Sequence, residues 1–130
     1  MRRVILLALL AVACRSASAE WVKVGVDGKD STGAYVNTET VTKNKNGIIV
    51  WTILDFSQAQ PADGEKYLSI KSQHEYDCKE KEVRILYTAL HSGGMGNGKT
   101  IYSSSTPTLK KSVPPNSRME DLWEYACGMK

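Results

Sequence analysis

Histidine is scarce in this chain: His74 and His91 are its only two in 130 residues. A protein metal site usually gathers three or four clustered ligands from histidine, cysteine and carboxylates. No such spacing occurs here, so neither a metal nor another cofactor is expected. Cysteine is nearly as rare, with Cys14, Cys78 and Cys127. No serine sits in a GxSxG turn, the strained elbow that exposes a nucleophile in many hydrolases. Long apolar runs are missing too. The longest, Val4 to Ala13, holds ten residues, whereas a bilayer-spanning helix needs about 20.

That short apolar run has a different meaning. Arg2 and Arg3 precede it, and Ala17-Ser18-Ala19 follow it with small residues where a signal peptidase reads. Residues 1–19 therefore read as an export peptide cleaved between Ala19 and Glu20. The stretch Leu10 to Cys14 faintly resembles a lipobox, which would make Cys14 a lipidated first residue. It carries Ala11 where a large aliphatic residue is expected, so the cleavage pattern at Ala19 is the better match.

Removing residues 1–19 also removes Arg2, Arg3 and Arg15 and no acid. Lys plus Arg falls from 17 to 14, against 14 Asp plus Glu, and the net charge falls from +3 to zero. A neutral exported chain offers no electrostatic case for binding DNA or RNA. What remains, residues 20–130, suits one domain with one core. It keeps only Cys78 and Cys127, and two cysteines in an oxidising compartment usually pair. That bond closes a loop of about 50 residues, for which the chain-entropy model gives near 4 kcal/mol.

The remaining pattern is that of a sheet followed by a helix. Trp21 to Val24 and Ala34 to Asn37 read as short strands, the first ended by a turn at Asp27 to Asp30. Ile48 to Phe56 is apolar on both sides, with Ile48, Val50, Leu54 and Phe56 opposite Ile49, Trp51 and Ile53. The expectation is burial of both faces, or one face covered by the helix. Gln58 to Lys66, with Pro61 and Asp63-Gly64, reads as a loop. Tyr67 to Cys78 alternates, with Leu68, Ile70, Ser72, His74, Tyr76 and Cys78 inward and Ser69, Lys71, Gln73, Glu75 and Asp77 toward water. After the turn Lys79 to Lys81, Val83 to His91 returns with Val83, Ile85, Tyr87 and Ala89 on one face. Thr100 to Ser103 adds a short strand, and Ser104 to Asn116 is a connector.

The closing helix is well marked. Ser117-Arg118-Met119-Glu120 forms a capping box. Met119, Leu122, Trp123, Ala126 and Cys127 recur at helical spacing on one stripe, and Gly128 takes the C′ place. The expectation is an α+β domain: about six antiparallel strands, with the helix on one sheet face and disulfide-linked to it.

Several motifs tempt and are set aside. Gly93 to Thr100 satisfies GxxxxGK[ST], but a nucleotide-binding loop must open a helix, and strand formers follow this one. It reads as a flexible hairpin loop, with no nucleotide. His91 reads as an exposed residue beside that loop. Glu75, Asp77, Glu80 and Glu82 alternate with Lys79 and Lys81 and read as a solvated turn. The tryptophans and tyrosines read as packing.

The stretches Tyr67-Leu68-Ser69-Ile70-Lys71-Ser72, Glu75-Tyr76-Asp77-Cys78, Val113-Pro114-Pro115-Asn116-Ser117, Leu122-Trp123 and Ala126-Cys127 together resemble the surface-adhesin protein E-like family of Gram-negative bacteria. Glu20 to Val24 and Tyr35-Val36-Asn37 fit as well, so the likeness runs from Glu20 to Cys127. The resemblance implies an exported antiparallel sheet with a disulfide-held C-terminal helix. It also implies a non-catalytic adhesin that binds a host or cell-surface macromolecule, located in the periplasm or at the outer-membrane surface. His74 departs from the family's aliphatic pattern and puts a polar group on a core face. No ligand-binding residue carries over. Edge pairing would allow a homodimer. A periplasmic accessory domain without an extracellular ligand is the competing reading. A small secreted hydrolase, which requires a pocket of converging polar groups, is the third.

Overall fold

The computed structural model describes residues 20–25 and 32–129. The export peptide with its Ala19 cleavage position, Cys14, and the turn at Asp27 to Asp30 lie outside the described residues.

Among the described residues, eight strands form one antiparallel sheet: β1 (Trp21–Val24), β2 (Gly33–Asn37), β3 (Thr42–Lys43), β4 (Gly47–Ala62), β5 (Glu65–Asp77), β6 (Glu82–His91), β7 (Thr100–Ser104) and β8 (Lys111–Ser112). Six of them run in the order β1-β2-β4-β5-β6-β7, while β3 pairs with β4 and β8 with β6. The helix α1 (Arg118–Cys127) closes the chain.

The expected loop at Gln58–Lys66 is instead the tip of a long hairpin. β4 runs to Ala62, and β5 begins at Glu65. Asp63 and Gly64 alone make the turn, with φ of 40° and 81°. Two successive left-handed residues match the twist of the flanking strands, which is why Asp-Gly suits this place. Register slips between Asp55 and Gln60, so the tip is offset from the rest of the ladder.

Register defines the two faces. Ile48 pairs with Tyr76, Val50 with His74 and Thr52 with Ser72, and these residues face α1. Leu122 and Ala126 of α1 are buried against Ile48, Val50, Tyr76, Val83 and the β2 residues Ala34 and Val36. At about 25 cal/mol per Å² of apolar surface, such a cluster is the main stabilising term of the domain.

One face assignment needs correction. Gln73 pairs with Tyr87 but His74 with Ile85, which leaves Leu86 as an extra residue in β6. This bulge reverses the alternation. Val83 and Ile85 follow Tyr76 and His74 to the helix face, whereas Tyr87 and Ala89 turn to the opposite one.

The helix is fastened at the β5–β6 turn. Cys78 and Cys127 are disulfide-bonded, with Cα atoms 5.6 Å apart. Trp123 Nε1 donates to the Asp77 carbonyl at 3.1 Å. Lys81 Nζ meets Glu120 Oε2 at 2.7 Å and lies 5.1 Å from the Trp123 ring centre. The Ser117 hydroxyl accepts from Glu120 N at 3.2 Å, as a capping box requires. The reciprocal Glu120 bond goes one residue further back, to Asn116 N at 3.3 Å. Gly128 adopts right-handed backbone (φ −83°), so the expected left-handed C′ ending does not form. Its N–H bonds the Glu124 carbonyl at 3.0 Å and continues the helical ladder.

Candidate functional site

Among the described residues, no α-helix packs on the face opposite α1, which carries side chains of mixed chemistry. The register Trp51–Gln73–Tyr87 sets three residues of neighbouring strands in one row. Across Gln73, the Trp51 and Tyr87 rings meet edge to face with centroids 5.5 Å apart. Lys71, two residues along β5 from Gln73, holds its ammonium 5.3 Å from the Trp51 ring. On the other side of the row, Arg84 Nη2 donates to Glu75 Oε1 at 2.6 Å. All six residues are half-buried. The result is a patterned surface: an aromatic pair, an amide between them, a cation at one end and an ion pair at the other. Such a surface offers apolar area with anchored polar groups at low entropic cost, because its side chains already hold one another.

The glycine loop walls off one end of this face. After Ser92 the chain enters a 3-10 turn at Gly94–Gly96 and then β7. Met95 N donates to Asp55 Oδ1 at 2.8 Å, and Gly96 N donates to Ser69 Oγ at 2.9 Å. Ser69 Oγ in turn donates to the Gly93 carbonyl at 2.7 Å. Gly96 has φ of 74°, which glycine tolerates without strain. Two amides that a phosphate-binding loop would turn to its ligand are thus held by an internal carboxylate and hydroxyl. Lys99 Nζ pairs with Glu65 Oε1 at 3.0 Å, and the segment after it is a strand. The loop is a pinned cover over Ser69 and Ile53, not the flexible hairpin loop expected. It buries Ser69 completely, although alternation alone would place that residue in water.

The two histidines sit apart, on different faces. His74 is buried under the helix, its Nδ1 2.7 Å from the Tyr76 hydroxyl, which lies 3.5 Å from Met119 Sδ. Burial pushes the His74 pKa down to about 4 and the Tyr76 pKa up. Both are neutral at physiological pH, and the polar pair satisfies itself inside the core. His91, in β6, is partly covered and not fully exposed as expected. Burial, then the charge of Lys71, lowers its pKa. The carboxylates of the β5–β6 hairpin likewise do structural work. Asp77 Oδ1 accepts from Glu80 N at 2.9 Å and Lys79 N at 3.0 Å. The Glu80 amide, with help from the Lys79 amide and from Lys110, lowers the Asp77 pKa. The Lys81 hydrogen bond does the same for Glu120. Among the described residues, no three of His, Cys, Asp or Glu are grouped to hold a metal ion.

The family model of surface-adhesin protein E matches residues 21–128. This chain belongs to that family. Solved structures of protein E from Haemophilus influenzae share its fold. Crystal form II aligns at a TM-score of 0.64 and 10% identity, covering 82% of this chain and 86% of that one. Protein E from the non-typeable organism aligns at 0.57 and 11% identity, covering 85% of each. No curated protein sequence matches the chain. At such identity the shared property is the fold, and it agrees with the antiparallel sheet and stapled helix described above.

The row of Trp51, Gln73 and Tyr87 was not legible as a site, because Tyr87 reads as a helix-face residue until the Leu86 bulge is known. Trp51 and Tyr87 do pack, as expected, but against each other on the uncovered face.

Proposed function

We propose that this protein is an exported, non-catalytic, adhesin-like protein that binds a host or cell-surface macromolecule through the sheet face opposite α1. Family membership over residues 21–128 carries the reading. Three features support the non-catalytic part. His74 is sealed beneath the helix, Cys78 and Cys127 are bonded to each other, and the glycine loop spends its amides on Asp55 and Ser69. The Ala17-Ser18-Ala19 pattern supports export with cleavage before Glu20, which N-terminal sequencing of the secreted protein tests. A sheet face with half-buried aromatics and anchored polar groups suits a broad protein contact better than a small-molecule pocket.

The test is a binding screen of purified, oxidised residues 20–130 against immobilised extracellular-matrix proteins, run beside the Trp51→Ala/Tyr87→Ala variant. Saturable binding that the variant loses supports the reading. Binding unaffected by the variant moves the site elsewhere, and silence across the panel contradicts adhesion to such proteins.

A further inference from the structure

The zero net charge of residues 20–130 conceals a strong local asymmetry. At the pole where the β3–β4 turn meets the β5–β6 turn, two clefts open side by side. One, of about 380 Å³, is lined by Lys43, Asn44, Lys45, Asn46 and Lys79 together with the disulfide; no acidic residue lines it. The other, of about 290 Å³, shares Asn44 to Gly47 with the first and adds Lys110. The two clefts flank the same turn, and the first, on the α1 side, is a groove with lysines at 43, 45 and 79 around it. The two carboxylates of the second cleft are already engaged. Asp77 Oδ2 lies 3.6 Å from Lys110 Nζ and Glu75 Oε1 2.6 Å from Arg84 Nη2. Among the described residues, Lys43, Lys45 and Lys79 enter no ion pair. Glu80, next to Lys79, lines neither cleft. The C-terminal end of α1 also borders the groove, but its partial charge of about −0.5 is small against three unpaired ammonium groups.

We infer that this groove binds a linear sulfated polysaccharide. Several cations in a row suit a chain of repeating anions better than a single ion, because each contact releases counterions. The asparagine amides beside them can donate to sulfate and hydroxyl oxygens. Single-stranded nucleic acid is a poorer fit, since its proteins supply aromatic platforms for the bases. Among the described residues, no aromatic side chain lines this groove. The groove shares no residue with the Trp51–Gln73–Tyr87 row or with the Glu75–Arg84 pair beside it, so this inference and the proposed protein-binding face can fail separately.

The probe is heparin, tested against the oxidised protein and the Lys43→Glu/Lys45→Glu/Lys79→Glu variant. Lys66→Glu, on the distant hairpin tip, serves as control. Circular dichroism and a thiol assay establish that each variant is folded and disulfide-bonded. Losing three exposed charge contacts, each modest in water, should weaken heparin binding by the triple variant from about threefold to about a hundredfold. Lys66→Glu should bind as the parent does. Affinity should fall steeply with salt, and desulfated heparin should not bind. Equal binding by the triple variant overturns the assignment. So does equal binding of desulfated heparin, or a preference for phosphatidylglycerol vesicles or single-stranded DNA over heparin.

Discussion

The hydroxyl of Tyr76 lies 2.7 Å from Nδ1 of His74. The two residues are separated by one position in β5, so alternation puts both on the helix face, and α1 then seals them with Met119. The burial of His74 makes stability depend on pH. An unfolded imidazole takes up a proton near pH 6.5, whereas burial holds the folded one to about 4. The unfolded state therefore binds more protons between these values, and stability present above pH 6.5 is lost as pH falls toward 4. The loss approaches 3 kcal/mol, at about 1.4 kcal/mol for each pH unit. Urea denaturation at several pH values reads it directly. His74→Leu should cost about 1 kcal/mol at neutral pH and flatten the profile between pH 4 and 6.5.

Removing the Cys78–Cys127 bond, by reduction or by replacing both residues with Ser, should lower stability by about 2–4 kcal/mol. The Lys81–Glu120 pair and the Trp123 bond to the Asp77 carbonyl remain, so the helix should stay docked in mild conditions. Chemical denaturation, with near-ultraviolet dichroism of Trp123, checks both statements.

Ser117→Ala removes the oxygen that accepts the Glu120 amide. The expected cost is about 1 kcal/mol. Glycine at the same position should cost only a few tenths, and the comparison isolates capping from packing.

Ser69→Ala should free the glycine loop. It takes a donor from the Gly93 carbonyl and an acceptor from the Gly96 amide. Leaving such groups unpaired costs about 1–3 kcal/mol. Hydrogen exchange should accelerate at the Gly96 amide first, while the amides of β2 and β4 keep their protection.

The helix was readable because its signals are local: a cap, a 3.6-residue stripe and a cysteine on that stripe. The sheet order followed from strands that pair with sequence neighbours. What escaped the reading came from distant partners or from a single inserted residue. Leu86 shifts Tyr87 and Ala89 to the other face, and nothing in the run Val83 to His91 marks it. Ser69 is buried by a loop 24 residues away. Gln58 to Lys66 looked like a loop because proline and glycine punctuate it, yet only Asp63 and Gly64 turn. The lysines of the groove, at 43, 45 and 79, meet only once β4 and β5 pair. The family resemblance named an adhesin without naming a single contact residue. The aromatic row and the lysine groove both required the register.

The account rests on display at the cell surface. Intact Gram-negative cells producing the full chain should be treated with protease, beside cells with permeabilised outer membranes, and the protein followed by immunoblot. Degradation on intact cells, with a periplasmic marker left whole, is the predicted result. Protection until the membrane is breached would place the domain inside the envelope and contradict its role as an adhesin.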